Sequence, residues 1–144
     1  MDRRDLLSFL RTQRLAVVST VSSDGAPQSA VVGIAITDHL EIVFDTLGSS
    51  RKARNLRADP RIAVVIGWDQ TTVQIDGIAD EPTGAERERI LAAYFVPYPD
   101  GRDRLAWPGI THFRVRPTWA RYTHYDAGET IVEFPADDLR SLTA

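Results

Sequence analysis

Between Arg14 and Asp45 the sequence runs as three β-rich stretches joined by two tight turns, and this meander restricts the fold more than any other feature. Leu15, Val17 and Val18 carry the first stretch. Ser23-Asp24-Gly25-Ala26-Pro27 follows as a turn whose Asp-Gly pair suits a hairpin. The return stretch, about Gln28 to Thr37, is apolar at Ala30, Val31, Val32, Ile34 and Ile36, the pattern expected when both faces of a strand are covered. Asp38-His39 makes the second turn, and Leu40 to Asp45 the third strand. Hairpin-connected strands pair antiparallel, which points to a sheet or barrel and away from βαβ architectures.

The remainder of the chain extends the same plan. Arg61 to Trp68, with Ile62-Ala63-Val64-Val65-Ile66, reads as a strand. Thr71 to Ala79 sets Val73 and Ile75 against Thr72, Gln74 and Asp76. Ile110 to Tyr122 sets Phe113 and Val115 against His112, Arg114 and Arg116, with a break at Pro117, and a short Ile131–Phe134 segment follows. Helical patterns cover residues 2–13, with Leu6, Leu7 and Leu10 on one side, and Ser49 to Asp59, with Ala53 and Leu56 on one side. Thr83-Gly84-Ala85-Glu86 has the spacing of a capping box opening a further helix that Pro97-Tyr98-Pro99 ends. Asp100 to Gly109 reads as a polar loop, apart from Leu105, Ala106 and Trp107, and a last helical turn completes the chain. No repeat, low-complexity tract or linker divides the sequence. The expectation is one α+β domain over residues 1–144, a barrel-like antiparallel sheet of six or seven strands with short flanking helices.

Composition removes several functions. The chain has no cysteine, so disulfides, thiolate metal sites and cysteine nucleophiles are excluded, in keeping with a reducing cytoplasm. No apolar run has the length of a membrane span. A formal net charge of −3 argues against general nucleic-acid binding, which depends on neutralising phosphates. His39, His112 and His124 lack zinc-ligand spacing, no metal site is expected, and each is read as a surface or interface residue. Walker, dinucleotide-glycine and nucleophile-elbow motifs are all missing.

One segment carries chemistry. In Asp45-Thr46-Leu47-Gly48-Ser49-Ser50-Arg51-Lys52-Ala53-Arg54-Asn55-Leu56 a strand end meets a glycine, two serines and two adjacent cations at a helix start. A helix N-terminus has partial positive charge and unpaired N–H groups, so cations in its first turn are out of place unless an anion gathers there. A phosphate monoester is the obvious candidate. The alternative is that both side chains extend into water, or pair with a carboxylate such as Asp45. Lys52 is the only lysine of the chain.

Pro27 to Ile36, Phe44-Asp45-Thr46, Ser50-Arg51-Lys52-Ala53, Leu56 and Asp59-Pro60-Arg61, in that order, resemble the pyridoxamine 5′-phosphate oxidase family across roughly residues 5–125. The resemblance implies a homodimer of split β-barrels holding FMN, or the related deazaflavin coenzyme, at the subunit interface. Carried over by position, Arg51 and Lys52 hold the phosphate, and Ser50 and Thr46 supply hydroxyl bonds. Ser29, Ala30 and Val31 line the flavin ring, Gln74 (or Thr72) faces the ribityl chain or ring, and Trp119 lies near the cofactor of the second subunit. The family's oxidases place an arginine where Ala30 aligns and a lysine near Ala35, and neither is present. Nor does Ala120-Arg121-Tyr122-Thr123-His124-Tyr125 reproduce their arginine-rich substrate motif.

The implied function is an FMN-dependent oxidoreductase acting on an unidentified small molecule, with these departures speaking against a B6 vitamer. A deazaflavin-dependent reductase and a non-catalytic flavin-binding or stress-response protein are the alternatives. Core packing is the default for Trp68, Trp107 and Trp119. Tyr94, Phe95, Tyr98 and Trp107 suggest an interface cluster or lid, and the arginines at 114, 116 and 121 a solvated strand face.

Overall fold

The computed structural model describes residues 1–126 and 128–140. In chain order its elements are α1 (Arg3–Arg11), β1 (Leu15–Val21), β2 (Pro27–Gly33), β3 (Ala35–Ile36), β4 (Ile42–Leu47), α2 (Arg51–Ala58), β5 (Arg61–Ile66), β6 (Thr71–Asp80), α3 (Gly84–Tyr94), α4 (Gly101–Arg104), β7 (Ile110–Tyr125), β8 (Glu129–Pro135) and α5 (Ala136–Leu139). The strands form one antiparallel sheet in the order β2-β1-β5-β6-β7-β4-β3, with β8 added beside β7. The two ends of this order, β2 and β3, are successive parts of one extended run, so the sheet curls towards itself as a barrel. This is the expected α+β class. Eight strands appear because the run after the first hairpin changes partner at Ile34: β2 pairs with β1, and β3 with β4.

Alternation fills the barrel. Val18 of β1, Ile62, Val64 and Ile66 of β5, Val73 and Ile75 of β6, and Phe113 and Val115 of β7 all point into one core. Leu6 and Leu10 of α1, and Ala53 and Leu56 of α2, add to it. Burying a side chain of this size is worth about 1.5–3 kcal/mol, so these helices are held by their apolar faces rather than by intrinsic propensity. At Gly77, beside a register shift between β6 and β7, a Cβ would stand 2.6 Å from Val115 Cγ1. The bulge therefore depends on a residue without a side chain.

Several expectations are corrected. β2 is not covered on both faces: Val31 is 62% exposed, because none of the described residues forms a layer over the outer side of the sheet there. The Thr83 side chain makes no cap hydrogen bond, and Glu86 turns instead to Arg89 and Arg114. Ion pairs with two guanidinium groups outcompete a bond from the carboxylate to one neutral backbone amide. The polar loop contains the helical turn α4. Tyr94 and Phe95 are no lid. They join Ala35, Val43, Ile90 and Leu91 in a second core beneath α3, whereas Trp107 is exposed. None of the three tryptophans belongs to the buried core: Trp68 is exposed and Trp119 only half-buried.

Arg114 is likewise not on a solvated face. It is 4% exposed and bonded to Asp80, Glu86 and Glu41. Burial alone would raise the Glu41 carboxyl, but hydrogen bonds from Arg89 and Thr37 outweigh it and leave the group below its usual range. Another expectation fails at His112, which is buried against the rings of Tyr94 and Phe95 with neither ring nitrogen partnered among the described residues. His124 is half-buried, its Nδ1 2.7 Å from Thr71 Oγ1.

Candidate functional site

The site forms where α2 begins beside the edge strand β2. Ser50 is the N-cap of α2, and its Oγ accepts from the Ala53 amide at 3.2 Å. Thr46, at the end of β4, donates its hydroxyl to the same oxygen at 3.0 Å, and Lys52 Nζ donates to Thr46 Oγ1 at 3.4 Å. Thr46, Ser50 and Lys52 thus form one chain of polar contacts at the helix start. No acidic residue lies in the first turn of α2. Among the described residues no carboxylate forms an ion pair with Arg51 or Lys52.

The turn leading into α2 is pinned from the opposite side. Arg57 Nη1 donates to the Gly48 carbonyl at 2.9 Å, and the Gly48 amide donates to the Gly109 carbonyl at 2.7 Å. Arg57 is also bidentate to Glu81, whose carboxyl its hydrogen bonds hold below the usual range. The backbone preceding Ser50 is therefore fixed independently of any ligand.

A cleft of about 250 Å³ opens between this helix start and the barrel wall. Val18 and Thr20 of β1, Gln28, Ser29 and Ala30 of β2, and Arg51 and Lys52 of α2 line it. A larger concavity of about 660 Å³ lies at Glu41, Glu86, Arg89 and Arg114. There the guanidinium groups are already neutralised by Glu41, Asp80 and Glu86, so the smaller cleft has the stronger claim to an external anion.

Of the residues singled out by sequence, Ser29, Ala30, Arg51 and Lys52 meet in this cleft, with Thr46 and Ser50 bonded behind Lys52. Val31, Gln74 and Trp119 do not line it. Val31 and Gln74 share one cross-strand row, Val31–Val17–Val65–Gln74–Arg121, on the outer face of the sheet. Trp119 lies in the neighbouring row, Ser29–Ser19–Ala63–Asp76–Trp119. Three strand spacings, about 14 Å, separate Gln74 from Val31, so a single chain does not gather all nine residues around one small molecule.

Sequence reasoning missed Thr20, Gln28 and Asn55. Asn55 is buried, and its Nδ2 donates to Thr20 Oγ1 and to Gln28 Oε1, both at 2.9 Å. The available signal was positional: Asn55 follows Arg51 by four residues, on the same side of the helix, and lies next to the buried Leu56.

A family profile described as Pyridoxamine 5'-phosphate oxidase matches residues 3–124. A pyridoxine/pyridoxamine 5'-phosphate oxidase of Streptomyces avermitilis is 38% identical over 93 residues, which is 63% of this chain and 40% of that protein. The chain therefore spans well under half the length of this curated relative. Among solved structures, a heme binding protein from Mycobacterium smegmatis superposes with a TM-score of 0.81 at 15% identity, over 96% of this chain and 58% of that one. The General Stress Protein 26 from Bacillus anthracis does so with a TM-score of 0.68 at 19% identity, over 92% and 100%. At such identities these two likenesses speak for the fold alone.

Proposed function

The chain belongs to the pyridoxamine 5′-phosphate oxidase family, and from that premise we propose that it is an FMN-dependent oxidoreductase acting on a small organic molecule. The observation that carries the reading is the pair Arg51 and Lys52, two cations with no carboxylate partner among the described residues, lining a cleft at a helix start. A phosphate monoester there would meet both charges and the N-terminal end of α2. Residues present fit the group: the cleft lining combines apolar Val18 and Ala30 with the hydroxyls of Thr20 and Ser29 and the cations Arg51 and Lys52.

When bound, the flavin supplies the hydride or electron transfer. The work of this chain is then to bind, orient and shelter. Arg51 and Lys52 anchor the phosphate end, while Ser29 and the main chain at Ala30 and Val31 meet the ring. Gln74 and Trp119 belong to this reading only through a second copy of the chain. In a homodimer built across the exposed outer face, Gln74 and Trp119 of one protomer approach the cleft of its partner. The apolar side chains on that face, Leu15, Val31, Val65 and Ile78, are the kind of surface such an interface would cover. Ala30 and Ala35 stand where the family's oxidases have cations, and β7 runs on into its pairing with β8 as Ala120-Arg121-Tyr122, which speaks against a B6 vitamer as the substrate. Among the described residues no helix is long and apolar enough to cross a membrane, and the cysteine-free sequence suits a reducing cytoplasm.

The test is the visible absorption of the purified protein titrated with FMN and then with the deazaflavin coenzyme. Saturable perturbation at one FMN per chain supports the reading, and subsequent turnover with a reduced nicotinamide and an acceptor separates a catalyst from a flavin carrier. Response to deazaflavin alone moves the protein to that coenzyme, and response to neither overturns the proposal.

A further inference from the structure

Gln28 Oε1 sits between two donors. Asn55 Nδ2 approaches it at 2.9 Å from inside the protein, and Arg51 Nε at 3.1 Å from the cleft. Arginine only donates, so the Gln28 atom facing it is the oxygen. The Asn55 atom facing that oxygen is then the amide nitrogen, and its other hydrogen goes to Thr20 Oγ1. The amide orientations are thus fixed from one end of the chain of contacts to the other. Thr20 and Asn55, both buried, cannot exchange these bonds for water without disturbing the packing of α2 on β1.

The consequence falls on Arg51. Its Nε is committed to Gln28, which restrains the plane of the guanidinium, and among the described residues its two Nη groups have no partner. Those two groups carry the remaining donors of the fork that suits a phosphate. A long cationic side chain on an exposed helix start normally samples many rotamers and loses that freedom when it binds. Here much of that loss has been incurred in folding.

We infer that Asn55 and Gln28 are positioning residues: the buried amide of Asn55 holds Gln28, and Gln28 holds the Arg51 guanidinium in the geometry that receives a phosphate monoester. The inference rests on the reading that the cleft takes the phosphate of FMN. Its rival is a purely structural tie, in which the same contacts only fasten the free strand β2, paired with β1 alone, to α2.

A double-mutant cycle with FMN and riboflavin separates the two, because riboflavin carries the same ring without the phosphate. Gln28→Leu is the leading variant, since Gln28 is half-exposed and its loss leaves no cavity in the core. It is expected to raise the Kd for FMN by about 5- to 20-fold and to leave that for riboflavin within about two-fold. In an Arg51→Ala background the same change should add less than about two-fold, because the group through which it acts is gone. Asn55→Ala should follow Gln28→Leu in direction and add little to it. Equal losses for FMN and riboflavin, or full additivity with Arg51→Ala, would overturn the inference in favour of the structural tie. If Arg51→Ala weakens FMN binding and Gln28→Leu does not, only the positioning role falls. A wild-type protein that binds no FMN overturns the phosphate reading, and this inference with it.

Discussion

Asp45 Oδ2 lies 2.6 Å from Arg104 Nε, and this ion pair takes from the cleft the carboxylate that the sequence places nearest to its two cations. Neighbouring residues of a strand face opposite ways, so Thr46 turns to Lys52 while Asp45 turns to α4. Arg104 also donates to the Tyr94 hydroxyl at 3.3 Å. Burial pushes the Tyr94 phenol well above its ordinary value, so it stays neutral. Asp45→Asn should lower unfolding stability in urea by about 1.5–3 kcal/mol, the scale of a charge-assisted bond. The Kd for FMN should stay within about two-fold. A selective loss of FMN affinity at unchanged stability would place Asp45 in the site instead.

Arg51→Ala and Lys52→Ala are each expected to weaken FMN binding by about 1.5–3 kcal/mol, or about 10- to 150-fold in Kd. Neither side chain is part of the apolar core, so thermal melting of the unliganded variants should match the wild type. Titration calorimetry checks both halves. Variants that hold FMN as tightly as the wild type would remove these residues from the phosphate site.

His112 makes stability depend on pH. Burial pushes its imidazole below its ordinary value of 6.5, with Arg87 and Arg104 acting the same way and Asp45 opposing them. Below about pH 6.5 the unfolded chain therefore binds more protons at this position than the folded one, so stability falls as the pH is lowered through that value and towards the folded-state value. Urea unfolding between about pH 7.5 and 5.5 should show the decline, and His112→Phe should flatten it. An identical slope in the variant would assign the dependence to other groups.

Val31 and Val65, 62% and 39% exposed in one cross-strand row, lie on the outer face proposed above as a homodimer interface. A carboxylate there would lose hydration on association without gaining a partner. If the proposed homodimer forms, Val31→Asp and Val65→Asp should convert it to monomer in sedimentation equilibrium and weaken FMN binding together. A wild-type protein that sediments as a monomer would refute the shared-site arrangement.

Much of the barrel was legible in the residues. The Asp24-Gly25 turn, the alternation of Val73 and Ile75, and the helix after Ser49 with Ala53 and Leu56 on its apolar side all reappear as read. These are local signals, each set by the backbone preference of a turn residue or the period of one element. The helix start was legible for the same reason: cations in a first turn contradict the local dipole, and such a contradiction shows in sequence.

What the sequence by itself determined is therefore most of the elements and the gathering of Ser50, Arg51 and Lys52 at a helix start, because both follow from neighbours within a few positions. Only the tertiary structure decided that Arg104 claims Asp45, that Arg114 and His112 are buried, and that Asn55 reaches Gln28 across 27 residues of chain. Strand order brings such partners together, and strand order depends on how apolar faces from distant segments pack into one core. That choice is made by the whole chain at once, and no single element carries it.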